Sequence, residues 1–186
     1  RNYSMGRRKL MNKLWHYLRY DWPLHFMLLF TNWLPDNVFF LRVRGALVRP
    51  FFGKCGHDLR IGRNIQFHNP ELINLENHVY IAYGCSIMAN DRIIIENEVM
   101  LSPYCVVVSG NHSSSNGSYR YGPAKISPIV IGRGSWIASH VVVTAGCTIG
   151  ENCLIAANAV VTHDIPANVV AGGIPARIIT QSTPLQ

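Results

Sequence analysis

The sequence predicts an all-β fold wound as stacked triangular coils behind an N-terminal helical extension, and three observations lead there. From Ile131 every sixth residue is a branched aliphatic: Ile131, Ile137, Val143, Ile149, Ile155 and Val161. Such a period suits neither a helix of roughly 3.6 residues per turn nor an alternating flat strand, but it suits a chain that turns a corner every six residues and sends one large side chain inward per side. The position four after each aliphatic is small or compact (Cys85, Cys105, Ser135, Val141, Cys147, Cys153, Ala159), as a bend toward a crowded axis requires. The position three after is often Gly or Asn (Asn64, Gly84, Asn90, Gly134, Gly146, Asn152, Asn158), which tolerate the left-handed backbone of a tight corner.

The elements follow in order. Residues 1–57 form a basic, partly helical extension. Leu10, Leu14, Trp15, Tyr17 and Leu18, interleaved with Lys9, Lys13 and Arg19, have the spacing of an amphipathic helix, and a second apolar run follows from Phe26 to Leu34. Arg42, Arg44 and Arg49 punctuate the apolar stretches after it. Such a segment either caps the open end of the coil, covering its first unpaired edge, or lies in a membrane interface, and both roles are compatible. The stretch Trp22 to Leu34 carries Pro23 and His25 and is too short to span a bilayer. The coil proper is assigned to residues 58–180, with a short tail at 181–186. The register runs through Ile61 and Phe67, then Leu75, Ile81 and Ile87, then Ile95, Leu101 and Val107, slipping by two residues before Leu75 and again before Ile95. Slips twenty residues apart read as small bulges at one corner of successive coils. After Val107 the period fails over 109–127, a polar loop rich in Gly and Ser that contains His112, before resuming at Ile131. A loop that interrupts so regular a scaffold is the natural carrier of function.

Charge and cysteine usage narrow the partners. Residues 1–60 hold eleven Lys and Arg against three Asp and Glu, whereas the rest of the chain holds six against seven. No nucleic-acid-binding module accompanies this basic segment, so nucleic acid is not an expected partner. Four of the five cysteines occupy the small inward slot of the repeat, where a thiol packs as a compact hydrophobe, and none shows zinc-ligand spacing. That usage, with no signal-peptide pattern, points to a reducing cytoplasm, with peripheral contact at the inner face of the membrane through residues 7–52 as an added expectation.

Together the hexapeptide repeats, the Ser109-Gly-Asn-His112 loop, the run from Trp136-Ile-Ala-Ser-His through Ala145-Gly-Cys-Thr-Ile-Gly-Glu-Asn, and the close from Val161-Thr-His-Asp-Ile-Pro to Gly172-Gly-Ile-Pro-Ala-Arg177 resemble the left-handed β-helix acyltransferases. Within them the chain is most similar to the galactoside, maltose and nodulation-sugar O-acetyltransferases and to the capsule and O-antigen enzymes, over about residues 58–180. The resemblance implies a left-handed parallel β-helix, an exception to the right-handed crossover rule. It further implies a homotrimer with active sites between subunits, acetyl-CoA as acyl donor with no metal, and a sugar or polysaccharide hydroxyl as acceptor. By the same resemblance His112 is the general base, Ser139, Ala157, Thr162 and Arg177 contact coenzyme A, and Trp136 flanks the site. A neutral imidazole suits the first task, because a hydroxyl must lose its proton as the new bond forms.

Departures from the family pattern bear on the acceptor. An Asn-Phe-Asn motif usually found about thirty residues before the histidine reads Ala82-Tyr83-Gly84 here, the lysine common after the threonine is His163, and the usual Gly before Ser139 is Ala138. The long extension resembles the envelope-polysaccharide branch and favours a large or lipid-linked acceptor. Two rival functions keep the fold: a γ-type carbonic anhydrase with zinc on three of His68, His78, His112, His140 and His163, and a non-catalytic β-helix.

Overall fold

The computed structural model describes residues 14–182. From Leu14, the first described residue, the chain is helical; it widens into a π-turn over Tyr17–Asp21 and continues as α1 (Trp22–Thr31). Lys9, Leu10 and Lys13 of the expected amphipathic helix lie outside the described residues. After a short turn, α2 (Val38–Val48) starts at Asn37, whose side chain accepts a hydrogen bond from the Phe40 amide at 3.0 Å and so satisfies one orphan donor of the first turn.

Five coils of three short strands follow. The first is β1 (Lys54–Cys55), β2 (Arg60–Ile61) and β3 (Gln66–His68); the second is β4 (Ile73–Leu75), β5 (Tyr80–Ile81) and β6 (Ser86–Met88). The third is β7 (Ile93–Ile95), β8 (Met100–Leu101) and β9 (Val106–Val108), after which a hairpin of β10 (Gly110–His112) and β11 (Ala124–Ile126) leaves the body. The fourth is β12 (Ile129–Ile131), β13 (Trp136–Ile137) and β14 (Val142–Val143); the fifth is β15 (Thr148–Ile149), β16 (Leu154–Ile155) and β17 (Val160–Val161). Then β18 (Val169–Gly172) extends the second face, and β19 (Arg177–Gln181) closes its upper edge antiparallel to it.

Corresponding strands stack in parallel into three faces, β1-β4-β7-β12-β15, then β2-β5-β8-β13-β16-β18, then β3-β6-β9-β14-β17. Backbone pairing therefore runs along the axis, as in Tyr80 N to Val99 O at 3.0 Å and Ala138 N to Ile155 O at 2.9 Å. The periodic aliphatics from Leu75 to Val161 have no solvent exposure, and Cys85, Cys105, Cys147 and Cys153 are free thiols buried beside them. Each such Ile or Leu contributes on the order of 2 kcal/mol of hydrophobic burial, and the first face adds a second buried aliphatic per strand at Ile73, Ile93 and Ile129. This is the coil that the six-residue period predicts.

The corners use left-handed backbone at Asn64, Gly84, Gly134, Gly146, Asn152 and Asn158. The same slot is also left-handed at Asp58, His78 and His140, of types that tolerate this backbone, and at Glu98 and Tyr104, which do not announce a turn. Here tertiary stacking overrides local preference. The Tyr104 and His140 rings stack at 5.0 Å, and a Cβ on Gly84 would meet the Tyr104 ring at 2.7 Å. Asn90 departs from the expectation, because it stands at the corner where two extra residues widen the turn.

That corner, between the third face and the first, takes up all the irregularity of the coils. Lower coils advance twenty residues, with Ile73 beside Ile93; the fourth advances eighteen, with Val130 beside Thr148, and the fifth sixteen, with Ile149 beside Ile165. The first slip is absorbed by a short 3-10 turn at Pro70–Leu72, the second at Asn90 and Asp91, and the hairpin leaves from the equivalent place one coil higher. One edge of the prism is thus elastic in length.

The N-terminal helices cap the open end. Leu24, Leu28, Val48, Phe51 and Phe52 join the core of the first coil, and α2 approaches so closely that a Cβ on Gly45 would collide with the Leu59 carbonyl. Arg44 corrects the sequence reading: it belongs to the core rather than to a basic surface. Its guanidinium is fully buried, donates to the carbonyls of Ile61 (2.6 Å), Leu34 (2.8 Å), Pro35 (3.2 Å) and Thr31 (3.3 Å), and pairs with Asp36 at 2.9 Å. Burial lowers its pKa and Asp36 opposes that shift, so the charge is tolerated because its N–H groups that reach these carbonyls and Asp36 are satisfied. Among the described residues no helix is long and apolar enough to cross a membrane.

Candidate active site

The interruption is anchored before it is free. Ser109, the first residue past β9, is fully buried; its hydroxyl accepts from the amides of Asn90 and Asp91, both at 2.9 Å, and donates to the Asp91 carbonyl at 2.7 Å. The chain returns at Ser127, whose amide donates to the Ser109 carbonyl at 3.1 Å, and the ladder of the first face resumes with Ile129 N to Arg92 O at 3.0 Å. A narrow neck therefore ties the loop to the coil beneath it. Glycine is required along this path: a Cβ on Gly110 would lie 2.6 Å from the Asn90 side-chain nitrogen, and one on Gly122 would collide with the Ser113 carbonyl. The Ser113 hydroxyl donates to the Pro123 carbonyl at 2.6 Å, pinning the hairpin just beyond His112.

His112 pairs across the hairpin with Ala124 and its side chain is exposed, at the corner between the third and first faces. Thr162 is exposed at the same corner two coils higher, and its hydroxyl meets His163 Nδ1 at 2.8 Å. Ser139 and Ala157 share the other edge of the third face, on successive coils, with Asn158 N donating to Ser139 O at 3.0 Å. Val142 and Val160 face outward between these edges. Arg177 sits above them: the adjacent Ala176 amide donates to the Val160 carbonyl at 2.8 Å, which places the start of β19 at the top of this strip. Trp136 belongs to the second face, where its indole N–H donates to the Ser102 hydroxyl at 2.8 Å and its ring is half-exposed. The structure thus gathers His112, Thr162, Ser139 and Ala157 along the two edges of one face, with Arg177 at its top and Trp136 around the corner.

Lower on the same face lies a cavity of about 520 Å3. Gln66, His68, Ser86 and Met88 form its floor, and Asp21, Trp22 and His25 close it from the helical side. Tyr83, which stands where the family motif has other residues, fills the neighbouring corner: its hydroxyl accepts from Asn64 at 2.8 Å and its ring packs edge-on against Tyr104.

The comparisons with known proteins point one way. Residues 128–163 match the family described as bacterial transferase hexapeptide (six repeats). Galactoside O-acetyltransferase of Escherichia coli (strain K12) is 31% identical over 138 residues, 74% of this chain and 68% of that protein. The chain belongs to the hexapeptide-repeat acetyltransferases. A putative colanic acid biosynthesis acetyltransferase of the same organism is 28% identical, over 80% of this chain and 79% of that protein. A maltose O-acetyltransferase from Clostridium difficile 630 superposes with a TM-score of 0.77 at 29% identity, covering 86% of this chain and 84% of that one. A hexapeptide-repeat acetyltransferase of Vibrio cholerae in complex with acetyl coenzyme A gives 0.76 at 27% identity, over 87% and 86%. The fold is accordingly the left-handed parallel β-helix, and the chain is an enzyme of the acetyltransferase class.

In this hexapeptide-repeat acetyltransferase the thiols are poorly placed for covalent chemistry. Burial pushes the Cys147 thiol up and the Cys55 thiol up to about 11; a hydrogen bond with Cys105, and then burial, raises that of Cys85, while the same bond lowers that of Cys105, which is buried away from solvent. His68, His78, His112, His140 and His163 lie on five different coils, and among the described residues no group of three His, Cys, Asp or Glu is placed to hold a metal ion. Ser109, the anchor of the loop, was not singled out from the sequence. Its only signal is its place, the first residue where an unbroken period gives way to a polar one.

Proposed function

We propose that the protein transfers the acetyl group of acetyl-CoA to a sugar hydroxyl of a cell-envelope polysaccharide or its lipid-linked precursor, as a homotrimer, with His112 as general base. The observation that carries this reading is the anchored hairpin, which presents an exposed imidazole beside the one face whose edges hold Ser139, Ala157 and Thr162. Stacked strands rise about 4.8 Å per coil, so the strip from His112 to Arg177 is on the order of 15–20 Å long, a length suited to an extended pantetheine arm ending at its phosphates. Ser139 and Ala157 would meet the amides of that arm through backbone groups, and Arg177 would supply a fixed positive charge to phosphate. Trp136 would flank the arm from the second face.

In the reaction the acceptor oxygen attacks the thioester carbonyl carbon as the ring nitrogen of His112 takes the hydroxyl proton. A backbone N–H near the carbonyl stabilises the tetrahedral oxyanion, the C–S bond breaks, and the imidazolium returns the proton to the departing thiolate. Transfer is direct, since the buried thiols offer no nucleophile. The large acceptor is supported by the open cavity of the lower coils, by the departure at Ala82-Tyr83-Gly84, and by similarity to the relative named for colanic acid biosynthesis. The same reading places the enzyme in the cytoplasm, at the inner face of the membrane. Incubating the protein with acetyl-CoA and envelope glycans while following free thiol tests it. Glycan-dependent release that falls by about a hundredfold or more in His112→Ala, with the fold intact, is the expected result; equal release in the variant removes His112 from this role.

A further inference from the structure

The helix that caps the coil is apolar on two opposite sides. Leu24, Leu28 and Thr31 face the core, as the capping role requires. On the reverse side Trp15, Leu18, Trp22, Phe26 and Leu29, with Trp33 in the turn just past Thr31, follow one another at spacings of three or four residues, and each is between 48% and 78% exposed. Asp21, the one acidic residue between 14 and 33, is half-buried and engaged with His16. A helix apolar all round is normally covered on every side, and a contiguous exposed apolar stripe of this length marks an interaction surface.

We propose that this stripe docks the enzyme on an anionic lipid surface, with the helix lying in the headgroup region. The occupant follows from chemistry. Three of the six residues are tryptophan, whose amphipathic ring favours the depth of lipid headgroups. Five cations, Arg1, Arg7, Arg8, Lys9 and Lys13, lie in the first thirteen residues of the sequence, within residues 1–60, whose net surplus is eight. Such charge attracts anionic headgroups and disfavours pairing of this face with a second copy of itself. Over its described residues the helix is not long or apolar enough to cross, which fits a helix lying flat in the interface. Trp22 also walls the cavity of the third face, so docking holds that cavity at the lipid surface. The inference deepens the envelope-glycan reading by naming where a lipid-linked acceptor is met, and it rests on that reading for its purpose alone.

Sedimentation of the full chain with vesicles tests it, using phosphatidylcholine alone or mixed with phosphatidylglycerol. Binding to the mixed vesicles that added salt weakens, and that drops by about a hundredfold in a Trp15→Ser, Phe26→Ser, Trp33→Ser variant, is the expected result. The variant should keep its circular dichroism spectrum and its thiol release on a soluble glycan. Full-length protein that stays in solution with the mixed vesicles overturns the proposal, as does a variant that binds them unchanged or falls apart from trimer to monomer. Vesicle binding without glycan-dependent thiol release on any acceptor supports docking while refuting the envelope-glycan function, so the two failures are distinguishable.

Discussion

Coil four leads to coil five in eighteen residues, whereas coils one and two each lead to the next in twenty and place the two extra residues at a single corner. The strict region coincides with the residues that match the hexapeptide family, 128–163, and it holds Trp136, Ser139, Ala157 and Thr162. The loose region holds the helical cap, the departure at Ala82-Tyr83-Gly84, the cavity and the hairpin that carries His112. Regular stacking fixes a rail at constant spacing, which suits a donor common to a whole family. An elastic corner lets turns, bulges and a loop vary without moving the rail, which suits an acceptor peculiar to each enzyme.

Removing a core side chain from the strict region should have the largest effect. Ile137→Ala leaves a cavity in a closed prism and is expected to cost about 3–4 kcal/mol in urea unfolding, while Phe67→Ala, whose ring is partly exposed and packs on Phe52 at 5.0 Å, should cost clearly less. Equal losses would erase the distinction between the two regions.

The loop should respond in activity more than the coils do. Ser109→Ala strands two amides at the neck and is expected to cost about 1–3 kcal/mol locally. The measurable result should be a fall in kcat of about tenfold with KM for acetyl-CoA little changed, because the imidazole is less well held while the rail is intact. An unchanged kcat would show that His112 does not depend on this anchor.

The smallest effect should come from the charge cluster under the cap. The guanidinium of Arg60, and then that of Arg42, holds the Asp58 carboxyl well below the usual carboxylate range, at distances of 2.8 and 2.7 Å. A lowered folded-state pKa means that this stabilisation is present above the unfolded value of about 3.9 and is lost as pH falls toward the folded one. Because the Arg42 side chain is more than half exposed, Asp58→Asn should cost only about 1 kcal/mol at neutral pH. The difference from the parent should shrink below about pH 3.9, and a difference that instead grows on acidification would contradict this assignment.

What the sequence made legible was whatever repeats. The inward aliphatics, the small slot beside them and the corner holding both slips are all periodic signals, and the structure keeps each of them. What stayed hidden was set by contacts between distant segments. Arg44 looks like one more surface cation until five oxygen partners from the turn and first coil surround it, and Tyr104 takes a glycine-like backbone at a corner where its ring stacks on His140 across coils. Ser109 likewise gains its meaning from Asn90 and Asp91, a whole coil below.

The central claim is that one imidazole stands where the donor thioester ends. A crystal structure of the assembled protein with coenzyme A measures this directly. The expected result is the arm lying along the edges marked by Ser139 and Ala157, its sulfur within about 3–4 Å of a His112 ring nitrogen, from the same subunit or its neighbour. Coenzyme A bound on another face, with His112 far from the sulfur, would contradict the account.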